Sequence, residues 1–232
     1  MIAAVAERMP TEVVLETVDR RTFASAVDWP GWCRSGRSPD EALVALADYA
    51  PRYAVVARLA RVRFAVAAGD HLTVVSQLPG DATTTFGAPS VQSPTDLRDL
   101  TAAEADRQVR LLRAGWTELD RLAVEAPAHL QKGPRGGGRD RDGVVAHVIE
   151  AERSYARKIG VRHPPFRGDP AAVEACRAEV EQVLRAARSG GPMPGWPARY
   201  FLRRAAWHVL DHVWEIEDKS SGGNRAARRA TG

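Results

Sequence analysis

Short runs of β-branched and apolar residues mark the first part of the chain, and helical periodicity takes over further on. Glu12–Val18 (EVVLETV) and Thr22–Asp28 (TFASAVD) are β-rich and separated by Asp19-Arg20-Arg21, which predicts a hairpin. Trp29-Pro30-Gly31-Trp32 reads as a loop. Ser38-Pro39-Asp40-Glu41 then opens a helix, with serine as cap, proline at the first helical position and glutamate completing a capping box. Ala42, Leu43, Leu46 and Ala47 give its apolar stripe, and Pro51 breaks or kinks it before a second helical stretch, Arg52–Ala60. A further strand is expected at Leu72–Leu78 (LTVVSQL).

Pro79–Thr95 is rich in Gly, Pro, Ser and Thr and reads as a connection. Beyond it, Thr101-Ala102-Ala103-Glu104 is a second capping box, followed at helical spacing by Val109, Leu112, Trp116, Leu119 and Leu122. Lys132–Arg141 (KGPRGGGRDR) reads as a flexible loop. Asp142 is expected to cap a helix reaching about Ile159. Asp169-Pro170 opens another, with Val173, Cys176, Val180 and Leu184 on one face. Pro197 starts a fourth that runs to about Lys219, ahead of Gly222-Gly223. Four long helices joined by loops pack most naturally as an antiparallel bundle. The expected organisation is therefore α+β: a small α/β unit over 1–78, a linker over 79–95, a four-helix bundle over 96–219 and a flexible basic tail over 220–232.

Composition narrows the classes. Apolar residues at 44% and charged ones at 27% are ordinary for a globular protein, and no apolar run approaches the ~20 residues of a membrane helix. Glu7 and Arg8 interrupt the opening segment, so no secretory signal is expected. Cys33 and Cys176 follow no metal or redox spacing and suit a reducing cytoplasm. Of the net charge of +4, three charges lie on Arg225, Arg228 and Arg229, and no basic patch with interleaved aromatics appears. Nucleic-acid binding is therefore not expected.

The chemistry concentrates in three histidines. His208 and His212 stand four residues apart, so their imidazoles share one helix face a turn apart, a spacing that suits a divalent metal. At ~100° per residue, Phe201, Leu202, Ala205, Val209, Val213 and Ile216 form the core stripe; His212 falls inside its border and His208 at the edge. His147 sits at the edge of another stripe, Val144, Val148, Ala151, Tyr155 and Ile159. A pair at this spacing is more often a packing feature than a site, and His147 on a second helix makes the metal reading competitive. Glu215 and Glu150, each about a turn from a histidine, are candidates to orient a ligand imidazole or act as a base; solvated surface glutamates are the plain alternative. Arg135, Arg139 and Arg141 lie on the loop before His147 and read as solvated. That loop lacks the Gly-Lys-Ser/Thr signature of a phosphate-binding loop, and His71, His129 and His163 receive no role. Tyr200, Trp207 and Trp214 recur every seven residues opposite the core stripe, which calls for cover by the N-terminal unit or by a second copy.

Two resemblances extend this picture. Residues 136–152 (GGGRDRDGVVAHVIEAE) and Trp207–His212 (WHVLDH) resemble the DinB-like family, whose helices carry one metal-binding histidine and a late H-x-x-x-H. The likeness, over about residues 96–219, implies an up-down four-helix bundle, a divalent metal on His147, His208 and His212, and homodimers. Zinc or nickel are the metals such a site implies. The superfamily includes metal-dependent hydrolases and thiol-dependent transferases, so the expected partner is a small-molecule substrate, with a low-molecular-weight thiol as one form of it. Val27–Gly36 followed by Ser38–Leu43 resembles HicB-like domains over about residues 11–60. This implies a degraded ribonuclease-H-like unit, without the acidic cluster of a nuclease, that serves as scaffold or substrate cover. The alternative function is a non-catalytic binding or regulatory protein that recognises a partner through that unit.

Overall fold

A computed structural model describes residues 10–132, 138–187 and 195–230, with side chains as far as Ser220. It is mixed α and β: a strand-rich region comes first and long helices follow. Strands β1 (Thr11–Val18), β2 (Arg21–Ala26), β3 (Cys33–Gly36) and β4 (Leu72–Pro79) form one sheet in the order β3-β2-β1-β4. β1 pairs antiparallel with β2 through Val13↔Ala26 to Val18↔Arg21, and β2 antiparallel with β3. β4 runs parallel to β1, with a register shift between Val13 and Val14. Parallel strands need a crossover, supplied here by α1 (Pro39–Asp48) and α2 (Ala50–Leu59). The hairpin, the first helix and the late strand follow the sequence reading; β3, which that reading leaves unassigned, is an addition.

Local chemistry accounts for the helix starts. Ser38 accepts the backbone N–H of Glu41 at 3.2 Å, but the Glu41 carboxylate takes the N–H of Arg37 at 2.9 Å, so the expected box closes one residue early. α3 (Ala82–Phe86) is a short turn in the connection. α4 (Ala102–Glu125) has both halves of its capping box: Thr101 Oγ1 accepts from Glu104 N, and Glu104 Oε2 accepts from Thr101 N. α5 (Arg141–Ala156) begins ahead of the Asp142 start read from the sequence. Asp140 holds the extended cap position, yet its carboxylate takes Lys132 Nζ at 2.9 Å rather than a helix N–H. Asp142 falls in the first turn, where a negative charge favours the helix dipole. α6 (Pro170–Ala186) starts at Asp169 as expected, and α7 (Ala198–Ala230) continues past the Lys219 end that the glycines suggest.

α4 packs on α5, α6 and α7, and α5 packs on α6 and α7. One cluster of buried apolar side chains runs from Val13, Trp32 and Tyr53 through Leu111 and Leu119 to Phe201 and Val213. The segment read as a linker lies against this body, with Thr84, Ser93 and Thr95 buried. α7 is covered on two sides. Trp207 meets Phe23 edge-on at 6.1 Å, Trp214 meets Tyr49 at 5.0 Å, and the Tyr200 hydroxyl donates to the Ser90 carbonyl at 2.5 Å. The chain's own N-terminal part thus covers the aromatic stripe, which removes it as the ground for an interface between copies. No helix among the described residues is long and apolar enough to cross a membrane.

Gly31 fixes the approach of the Trp-Pro-Gly-Trp loop to α7. Its φ is +90°, and a Cβ there would lie 2.5 Å from Leu210 Cδ1 and 3.1 Å from the Ala206 carbonyl oxygen. Gly31→Ala therefore combines left-handed strain with overpacking. A loss of about 2–4 kcal/mol is expected in urea unfolding, and a loss below about 1 kcal/mol would show that the loop moves aside freely.

Candidate metal centre

Burial decides which way the three histidines face. On α5 the buried ladder is Val144, Val148, Glu152 and Ala156, so the stripe drawn through Ala151 and Tyr155 is displaced by one residue. The reason is Glu152: its carboxylate meets Arg177 of α6 inside the bundle at 2.9 Å, and a charged core position is invisible to an apolar pattern. His147 flanks this ladder. On α7 every side chain from Arg199 to Leu210 is buried, and His208 is 7% exposed. His212, a turn nearer solvent, is half-buried, which reverses the order that the helical wheel gives the pair.

The three rings converge. Centroids are 5.1 Å apart for His147–His208 and for His147–His212, and 4.8 Å apart for His208–His212. One potential ligand atom from each lies within 4.8 Å of the others, and the described residues hold no other such group. Two nitrogens ~2.1 Å from one tetrahedral zinc ion are ~3.4 Å apart, so the widest pair has to close by up to about 1.4 Å.

Glu215 reaches the centre through His212. Its Oε2 lies 2.6 Å from His212 Nδ1, and Lys219 Nζ donates to its other oxygen. The hydrogen bond from His212, followed by that from Lys219, holds the Glu215 carboxyl down at about 2, outweighing partial burial. Glu215 takes the Nδ1 side of His212 and leaves Nε2 as the nitrogen able to meet a metal, the usual orientation of a ligand imidazole by an outer carboxylate. Burial, then His212, Arg204 and His147, push the His208 pKa down to about 2. Burial and then His212 also lower that of His147. Those two rings are therefore neutral at pH 7, as metal ligation requires. His208 Nδ1 is buried without a hydrogen-bond partner among the described residues. The donor set fits a divalent cation: three imidazoles, one already oriented by a carboxylate, and one lacking a partner.

Glu150 is not part of this group. It is exposed, takes Arg153 Nε at 2.9 Å, and borders a groove of about 970 Å³ between α4, α5 and α6. Arg139 is exposed, and its charge is among the lesser causes that depress His147 and His208. Arg141 is tied to the Ala126 carbonyl at 2.6 Å, and Arg135 lies outside the described residues. His129 sits 3.3 Å from Asp140 and His163 sits 2.9 Å from Glu179, and neither belongs to the three-histidine group. Sequence reasoning missed the surroundings of His208. Tyr155 and Trp207 flank its ring at 5.7 and 5.9 Å, and Arg204 stands one turn before it. The signal available was spacing: Arg204, His208 and His212 form one row at four-residue intervals.

Compared with known proteins, the chain matches no family model, no curated protein and no solved structure. The functional reading therefore stands on the geometry of this centre.

Proposed function

We propose that the chain is a divalent-metal-dependent enzyme of the DinB-like type, with His147, His208 and His212 as ligands and a hydrolytic or thiol-transfer reaction. The observation that supports it most is the convergence of three imidazoles from two helices, with ligand atoms within 4.8 Å. A row of histidines left over from packing has no reason to include a buried nitrogen without a partner, as His208 has. When bound, a zinc or nickel ion supplies Lewis acidity, which makes a water or a small thiol that it takes up more acidic. Three protein ligands leave a position for such a molecule. With its Nδ1 bound to Glu215, His212 has Nε2 left to take a metal. His147 and His212 are half-buried, so a small substrate reaches the centre from their side.

The test is metal content. Protein purified without chelator and titrated with Zn²⁺ is expected to hold about one ion per chain, and the His208→Ala/His212→Ala variant less than about a tenth. Equal binding by both proteins would end the reading. Glu215→Gln is expected to retain the ion with about 10–100-fold weaker affinity, because the amide orients His212 less firmly. An unchanged affinity would remove Glu215 from the site.

A further inference from the structure

Among the described residues, Arg204 is a buried arginine with no acid beside it. It is 8% exposed, and its Nη1 is buried without a hydrogen-bond partner. The other buried arginines all have acids. Arg177 meets Glu152 and Asp120, Arg199 meets Asp28 and Glu104, and Arg203 meets Asp96. No carboxylate pairs with Arg204 among the described residues. Its guanidinium instead lies over two rings, Trp207 at 4.7 Å and Tyr155 at 5.3 Å. These are the same two rings that flank His208. Cation–π contact offsets part of the charge but leaves the N–H unsatisfied. A buried, unpaired cation is among the costlier features a core can contain, and it persists most readily where a ligand completes it.

We infer that Arg204 is an anion-recognition residue, which receives the carboxylate of a small organic acid bound beside the Tyr155 and Trp207 rings and the three histidines. The planar fork of a guanidinium matches a carboxylate through two parallel hydrogen bonds, and the aromatic walls suit a flat or apolar body behind it. This deepens the metal reading: it rests on that reading for where the reacting end of the substrate lies, but not for the anion site itself. The row Arg204, His208, His212 then places the recognition of charge one helical turn from the chemistry.

The probes are benzoate and its neutral counterpart benzamide, titrated calorimetrically into the native chain with and without zinc. Benzoate is expected to bind at least about tenfold more tightly than benzamide, and Arg204→Met to lose at least that factor for benzoate. Arg204→Met is also expected to bind zinc as the native chain does and to melt no lower, because it replaces an unpaired buried cation with an apolar chain of similar length. Equal binding of the two probes to the native chain overturns the inference, and that comparison does not depend on the variant folding. A variant that melts well below the native chain also overturns it, by showing that the cation is already paired within the protein. Selective benzoate binding without zinc binding keeps the anion site and removes the metal reading; zinc binding without selectivity does the reverse.

Discussion

Asp96→Ala is expected to lower the unfolding free energy by about 3–5 kcal/mol, the range for removing one partner of a buried ion pair. The Asp96 carboxylate accepts Arg203 Nε at 3.0 Å and Nη2 at 2.6 Å, and the backbone N–H of Ser93 at 2.7 Å. Both side chains are enclosed, at 4% and 6% exposure, so the alanine variant leaves a guanidinium deep in the protein whose remaining partners among the described residues are the Val91 carbonyl and the face of Tyr200. At about 2–4 °C per kcal/mol for a chain of this size, the melting temperature should fall by roughly 6–20 °C. Asp96→Ala/Arg203→Met is expected to recover much of the loss, because it removes the stranded charge. Urea unfolding of both variants checks this. A single-variant loss under about 1.5 kcal/mol, or no recovery in the double, would show that water reaches the pair.

Trp32→Ala should cost about as much, roughly 3–5 kcal/mol. Trp32 is fully buried, stacks on Tyr53 at 5.8 Å and meets Phe64 edge-on at 5.2 Å. Its indole N–H donates to the Leu46 carbonyl at 2.8 Å, which ties the loop after β2 to α1. Trp32→Phe keeps most of the volume and loses the donor, so it is expected to recover more than half of the stability. If the two variants unfold at the same urea concentration, the hydrogen bond and not the ring volume governs this corner.

Much of this was legible in the sequence, and the failures share a cause. Capping residues located α1, α4 and α6, and the helical wheel brought His147, His208 and His212 to facing edges, because both signals are local. Glu152, Arg177, Arg203 and Asp96 escaped notice because each is charged and sits where pattern reading expects solvent. Their positions depend on partners 25 and 107 residues away. Composition also misled at 79–95. Ser93-Pro94-Thr95-Asp96 carries the same serine-proline-acid signature as the start of α1, and it forms a capped 3-10 turn whose aspartate pairs with Arg203. Glu150 and Glu215 looked equivalent from spacing. Only the neighbours differ: Arg153 draws the first outward, and His212 takes the second.

α7 follows every other element in the chain, yet it is the wall against which the first of them are closed: Phe23 and Cys33 face Trp207, and Gly31 touches Leu210. A ribosome therefore delivers the sheet well before its cover. Until α7 arrives, β2 and β3 present an open apolar face, and the only histidine of the triad yet made is the one on α5. Closing the sheet and assembling the three-histidine centre are then a single late event, and a chain that stalls before α7 has neither.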